Sequence, residues 1–366
     1  MEIKNRIFKE KLSEKQRLLN VLNGKKVDRP PVICPGGMIN AAVTEVIKKI
    51  KGDYNSDLSS MIETATKVRK ITGFENYGVP FCEAREGVSF HLKLNLDEKL
   101  DRSKITKYDE YILDHLEKIK INHSKRSIVV LEAISKLKNN KIPVIGNITG
   151  PMSMAISIIE SKKYYEMMKK DKDKAMKFLE ILTDYIITFS EEMIDNGADI
   201  IALSDPYATR ESLGKKIFEE FIVPMYKKIS KAIHIKKSKL IIHVCGRSQR
   251  ILESLTYLDA DALSFDSVVG IRQAKEIIKV PIMGNISTQL LDQGKKRIVR
   301  LSTKLVIEDR CDIISPSCKL SMSTPIENLK VMTEEVKKIN ITNNDQKNRR
   351  EVIDVSSGNR YWIYSS

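Results

Sequence analysis

The chain has 366 residues, 42% of them hydrophobic and 30% charged, and 63 Lys and Arg against 48 Asp and Glu give a formal net charge of +15. A chain this long buries a substantial core without staples, and α/β barrels of this size fold as one unit. The opening MEIKNRIFKEKLSEKQRLLN is polar and charged and no apolar run approaches the ~18 residues of a membrane span, so neither a secretory leader nor a membrane anchor is expected and a cytoplasmic protein is predicted.

Eight short apolar runs alternate with longer amphipathic stretches. In chain order they are PPVICP (30–35), GVPF (78–81), PVIGNITG (143–150), DIIALSDP (199–206), KLIIHVCG (239–246), ALSFD (262–266), VPIMGNIS (280–287) and CDIISPSC (311–318). Each is closer to a continuous apolar run than to an alternating one, as parallel strands covered by helices are. Helical spacing follows in Ile217, Phe221, Met225 and Ile229, and again in Ile326, Leu329, Met332 and Val336. Thr324-Pro325 marks the start of the last helix, Asp292 the start of the seventh connection, and Gly197 a helix stop before the fourth strand. Eight strand-helix units predict an α/β fold, a single (β/α)8 TIM barrel over residues 1–340. Residues 83–125 fall outside the repeat as an inserted segment after the second strand, alternating at Val88, Phe90, Leu92 and Leu94 and expected to form a hairpin over the barrel mouth. Residues 341–366 form a polar tail ending in Tyr361-Trp362-Ile363-Tyr364.

The charge does not point to nucleic acid. Lysines occur as scattered pairs (Lys48-Lys49, Lys169-Lys170, Lys215-Lys216, Lys236-Lys237) on polar helix faces, with no interleaved aromatics. Five cysteines are too few, and odd in number, for a disulfide framework, so clustered Cys and His read as metal or catalytic groups. On a strand, residues two apart share a face, so His243 and Cys245 point the same way at the carboxyl end of the fifth strand. Cys318 ends the eighth strand, which faces the fifth across the barrel mouth where such active sites are built. Two soft thiolates and one imidazole suit zinc, and three ligands leave an open fourth position.

Other strand ends carry polar residues: Asn147 and Thr149, Asp205, Asp266, and Asn285 and Ser287. Each alone could cap a following helix, but together they favour a polar substrate pocket, with Asp205 the expected catalytic group. Cys34 and Cys82 follow the first two strands and either could approach the metal, while Glu83 is a candidate fourth ligand. Cys311 opens its strand at the far end and reads as structural, and His91, His115, His123 and His234 read as surface residues. No phosphate-binding loop, dinucleotide-binding glycine motif or nucleophilic-serine elbow is present in the sequence.

These residues give the chain a resemblance to the uroporphyrinogen decarboxylase superfamily and, within it, to the methylcobamide:coenzyme M (thiol) methyltransferase branch. The similarity runs through EKQRLLNVLNGKKVDRPPV, GNITGPMSMA (146–155), DNGADIIALSDPYAT (195–209), IIHVCG (241–246), MGNIST (283–288) and SPSCKLSMSTPIENLKVM (315–332). The family's zinc motif falls on His243, Cys245 and Cys318. Decarboxylase members lack that triad and carry an arginine-rich signature where this chain has ICPGGMIN (33–40). The resemblance implies a zinc-dependent methyltransferase, in which a small thiol held as thiolate takes the methyl group of methylcobalamin carried on a separate corrinoid protein. It leaves open the reverse direction, a small methylated substrate demethylated onto a corrinoid protein, and makes decarboxylation of a tetrapyrrole the weaker reading. The identity of the thiol and the oligomeric state are not read from the sequence.

Overall fold

Apolar runs without alternation need cover on both faces, and seven of the eight expected runs are strands of one parallel sheet in the computed structural model. It describes residues 12–48, 57–81, 92–94, 116, 121–123, 125–209 and 213–339. In chain order the strands are β1 (Tyr77–Val79), β2 (Leu92–Leu94), β3 (Ile121–His123), β4 (Val144–Thr149), β5 (Ile200–Ser204), β6 (Lys239–Val244), β7 (Ala262–Phe265), β8 (Ile282–Ile286) and β9 (Ile313–Pro316). The large sheet runs β1-β4-β5-β6-β7-β8-β9, every pair parallel, while β2 and β3 form a separate antiparallel pair. That pair, Leu116 and Lys125 are the described part of the expected insertion; the rest of 83–125, Glu83 included, lies outside the described residues, as do Cys82 and the tail 341–366.

The expected first strand is not one. The segment at 31–34 makes a single β-bridge, Val32 to Ile314. Ile33 donates its N–H to the Ile314 carbonyl at 3.0 Å, and Ile314 donates to the Pro31 carbonyl at 2.8 Å. On its other side Glu75 donates to the Val32 carbonyl at 2.9 Å. The reason lies in Pro30, Pro31 and Pro35, which have no N–H to give a ladder. Side chains supply what the backbone lacks. Asn76 accepts from the Cys34 N–H at 2.9 Å and donates to the Cys34 carbonyl at 3.0 Å. The segment thus joins the last strand of the sheet to the residues leading into the first.

A buried ion cluster fixes this joint. Glu75, 1% exposed, accepts from the Val32 N–H at 3.0 Å and from Arg29 Nη1 at 3.0 Å, with Arg17 Nη1 at 3.4 Å. Arg17 is fully buried and is also paired with Asp28 at 2.7 Å. Arg17 belongs to the helix Glu14–Leu22, which a Ser13/Gln16 capping box starts.

Elsewhere the helices follow their expected signals. The helix Lys172–Asn196 stops at Gly197, whose φ of +113° suits a residue without Cβ. The helix Ile326–Lys337 starts after Pro325 and buries Leu329, Met332 and Val336. Phe221, Met225 and Ile229 are buried, although a π-helical turn (Phe218–Ile222) precedes the helix Val223–Ile235. Asp292 does not open a helix as expected; Ser287 caps the helix Thr288–Gln293 and Asp292 falls inside it, because Ser287 is the residue whose oxygen reaches a free N–H of the first turn. Among the described residues no helix is long and apolar enough to cross a membrane.

Glu75→Gln leaves two buried guanidiniums facing a neutral amide. The expected cost is about 3–5 kcal/mol, read as a lower denaturant midpoint at unchanged slope.

Candidate metal centre

Of the three expected ligands only His243 lies in a strand. β6 ends at Val244, so Cys245 begins the following loop, and Cys318 lies two residues beyond the end of β9. The three nevertheless converge, with one ligand atom from each within 4.8 Å of the others. His243 is 6% exposed and both cysteines are half-buried. The Sγ atoms of Cys245 and Cys318 are 3.7 Å apart, too far for a disulfide bond of about 2.05 Å. Two thiolates on a tetrahedral zinc, at Zn–S of about 2.3 Å, stand about 3.8 Å apart.

The imidazole is also held in place. Ser264 on β7 is paired in register with His243, and its Oγ lies 3.1 Å from Nδ1. Nε2 is buried and has no hydrogen-bond partner among the described residues. A buried ring nitrogen left bare beside two thiols, with the other nitrogen fixed, is the arrangement of a metal-ligating histidine. Two soft sulfurs and that nitrogen fit zinc. Without a cation the thiols hold each other back. The Cys245 thiol beside it, together with burial, pushes the Cys318 thiol well above the usual range, with His243 pulling the other way. A divalent ion reverses this balance.

Cys245 is pinned at its backbone. Thr209 Oγ1 accepts from the Cys245 N–H at 3.0 Å and lies 3.3 Å from the Cys245 carbonyl, to which it donates. Thr209 ends the short helix Pro206–Thr209, directly after Asp205. Gly246, at φ +75°, turns the chain away after the ligand, and its N–H goes to Asp266 Oδ2 at 3.2 Å.

Asp205 departs from expectation. Its side chain is fully buried and is committed to the start of the helix Pro151–Ile158, accepting from the N–H of Met152 (3.1 Å), the N–H of Ser153 (2.7 Å) and the Ser153 hydroxyl (2.5 Å). A methyl at Gly150 would overlap this carboxylate, so the glycine is what lets it approach. Burial pushes the Asp205 pKa up to about 6, against the lowering effect of the Ser153 and Met152 donors. It is a capping residue here, because the two helix-end N–H groups would otherwise lack partners.

The other expected pocket residues mostly hold loops. Asn285 Nδ2 donates to the carbonyls of Asp266 (3.0 Å) and Val269 (2.8 Å), and Asn147 Nδ2 to that of Pro80 (3.1 Å). Ser287 caps its helix through Leu290 N–H. Thr149 closes β4, half-buried. Cys34 does not approach the metal site; it lines a small cavity with Ala65, Val68 and Phe81, and burial raises its thiol pKa. Cys311 is buried against the carbonyls of Ile282, Gly284 and Ile313, in keeping with a structural role. His234 is partly exposed, with Nε2 2.8 Å from Asp261.

The sequence reading missed Ser264, Ser153 and Thr209. Ser264 has no local signal, since its value comes from lying opposite His243 in the parallel register. Thr209 carried a faint one, lying four residues beyond the singled-out Asp205.

The sequence profile of the uroporphyrinogen decarboxylase (URO-D) family matches residues 13–339. Methylcobamide:CoM methyltransferase MtaA of Methanosarcina barkeri is 26% identical over 330 residues, covering 87% of this chain and 96% of that protein. Methylated-thiol–coenzyme M methyltransferase of Methanosarcina mazei is 26% identical over 345 residues, covering 90% of each. Among solved structures, a methyltransferase from Methanosarcina mazei superposes with a TM-score of 0.75 at 22% identity, over 90% of this chain and 99% of that one.

Ser264→Ala is expected to weaken zinc binding about 10–100-fold, read by competition with a chromogenic chelator, with the far-ultraviolet spectrum unchanged. For Asp205 the folded pKa is raised, so its contribution to stability is full below pH ~4 and lost as pH rises through about 6. The difference in unfolding free energy between the parent and Asp205→Asn should therefore slope with pH across that window and be flat above it.

Proposed function

The chain belongs to the uroporphyrinogen decarboxylase family and is similar to its methylcobamide:CoM methyltransferase branch, and from that premise we propose that it is a zinc-dependent methyltransferase joining a corrinoid protein to a small thiol. The observation that carries this reading is the convergence of two thiols and one bare, buried imidazole nitrogen within 4.8 Å. Porphyrinogen decarboxylation has no use for such a donor set.

In this reading His243 Nε2, Cys245 Sγ and Cys318 Sγ hold the zinc. Bound there, it would supply Lewis acidity that keeps a thiol ionised at neutral pH. The chain's own residues do the rest. Ser264 fixes the imidazole so that Nε2 faces the thiols. Thr209 holds the Cys245 backbone from both sides. Asp205 acts at a distance, as a positioning residue that anchors the turn carrying Thr209 to the helix Pro151–Ile158. Asn147, Asn285 and Ser287 would shape the approach by fixing the loops around it, Thr149 and Asp266 would orient the remainder of the thiol, and Glu83 would supply an exchangeable fourth ligand. Residues 1–340 act as one catalytic domain, with 341–366 as its tail.

The reaction balances without a further reactant. A sulfur–methyl bond forms as the cobalt–methyl bond of the methylated corrinoid breaks. The electron pair of the broken bond stays with cobalt, and the thiol proton is released. Likeness to the methylated-thiol–coenzyme M methyltransferase supports a second reading, in which a small methylated substrate is demethylated onto a corrinoid protein.

The purified chain is expected to bind about one zinc, as a three-ligand open site does, and to methylate a thiol from free methylcobalamin. Cys245→Ser and Cys318→Ser should each lower zinc affinity more than the about 10–100-fold of an outer-shell change and abolish transfer. No transfer to any of a panel of small thiols would sink the first reading. Methylation of cob(I)alamin from a methylated thiol, with no transfer to coenzyme M, would establish the second.

A further inference from the structure

The metal centre lies beyond the carboxyl ends of the strands. At the opposite end of the sheet, the loops leading into β8 and β9 and the turn after the helix Glu14–Leu22 enclose a cleft of about 800 Å³. Its walls are unevenly charged. Lys25, Lys26, Lys275, Lys279 and Arg310 line it with a single acid, Asp312, whereas over the whole chain cations outnumber acids only 63 to 48.

That acid is already engaged. The Asp312 carboxylate takes Nζ of Lys275 at 2.9 Å and the N–H of Ile282 at 2.8 Å. It therefore neutralises Lys275 and leaves four cations uncompensated. Lys279 gives Nζ to the Glu276 carbonyl at 2.8 Å, which is polar but not anionic. Lys25, Lys26 and Arg310 make no ion pair among the described residues. The four come from three separate loops, so their gathering is a product of the tertiary fold and not of a local run. The floor is apolar, with Ile278 and Ile307 buried beneath them.

The volume is that of a small-molecule pocket, about 300–1,000 Å³, and the cleft is concave where a protein-docking face would be flat. We propose that it binds a small polyphosphate, whose several charges Lys25, Lys26, Lys279 and Arg310 match from different sides. A bare polyphosphate and the phosphate chain of a nucleotide share this chemistry. The inference stands apart from the methyl-transfer reading, since none of these residues belongs to the metal centre.

Calorimetric titration of the full chain with tripolyphosphate, and separately with ATP, tests it at constant ionic strength. Tripolyphosphate is expected to bind saturably at about one per chain. Equal affinity for ATP identifies a bare polyphosphate site, and tighter ATP binding places the nucleoside in the cleft as well. Lys25→Glu combined with Arg310→Glu should weaken binding at least about tenfold, as loss of charge-assisted contacts does. Reversing Lys169 and Lys170, which lie outside the cleft, should change it less than about twofold, the level expected of screened, distant charges. Should the charge reversals prevent folding, Lys25→Ala with Lys26→Ala on the exposed turn gives the same comparison. Absence of saturable binding, or equal weakening by the Lys169/Lys170 pair, overturns the proposal.

Discussion

The structure depends on how its sheet is joined between β9 and β1. A parallel sheet presents unpaired N–H and C=O groups at both edges, and these need partners. Here the joining segment begins with two prolines, so a full ladder is not available. Glu75 and Asn76 replace it, one accepting the Val32 N–H and the other bracketing Cys34. The carboxylate would be costly to bury alone, and Arg17 and Arg29 make it tolerable. Because Ile314 of β9 is bonded to this segment, the loop that carries Cys318 has a fixed origin relative to β6.

From that frame the candidate metal centre is assembled by contacts across neighbouring loops. A chain of hydrogen bonds runs from the first turn of the helix Pro151–Ile158 to Asp205, through the short helix to Thr209, and on to the backbone of Cys245. Tyr207 adds a cross-tie, donating its N–H to Ser153 Oγ at 3.2 Å. On the other side Asn285 holds the loop of Asp266, which in turn takes the N–H of Gly246. The ligand loop is thus held from both flanks by groups that are themselves buried and bonded. Such rigidity keeps three donors in place against the repulsion of two sulfurs brought together.

Strand-level features were legible because parallel strands leave continuous apolar runs, and seven of eight expected runs became strands. The eighth failed at Pro30-Pro31, where composition resembled a strand but donors were missing. The triad was legible for a different reason. His243 and Cys245 are two apart at a strand end, and Cys318 follows another, so the curl of the parallel sheet brings them near one another. What could not be read was the use of each polar side chain. Asp205, Asn285 and Ser287 stand at strand ends as pocket residues would, but whether such a group faces solvent or a neighbouring N–H depends on loop paths that no spacing encodes. Ser264 shows the converse: an ordinary serine in ALSFD acquires its role only from the register of β7 against β6.

The separation of Cys245 from Cys318 has a consequence for the chain as a polymer. The two stand 73 residues apart in sequence, with β7, β8 and β9 between them. An ion bridging the two sulfurs would close that stretch into a covalent-like loop and restrict the unfolded chain as a cross-link does, by about 4 kcal/mol on a chain-entropy estimate. The centre would then be a topological staple for one side of the sheet as well as a place for chemistry. Resistance to unfolding would rise and fall with metal content, and the protein's lifetime would be tied to the ion that equips it.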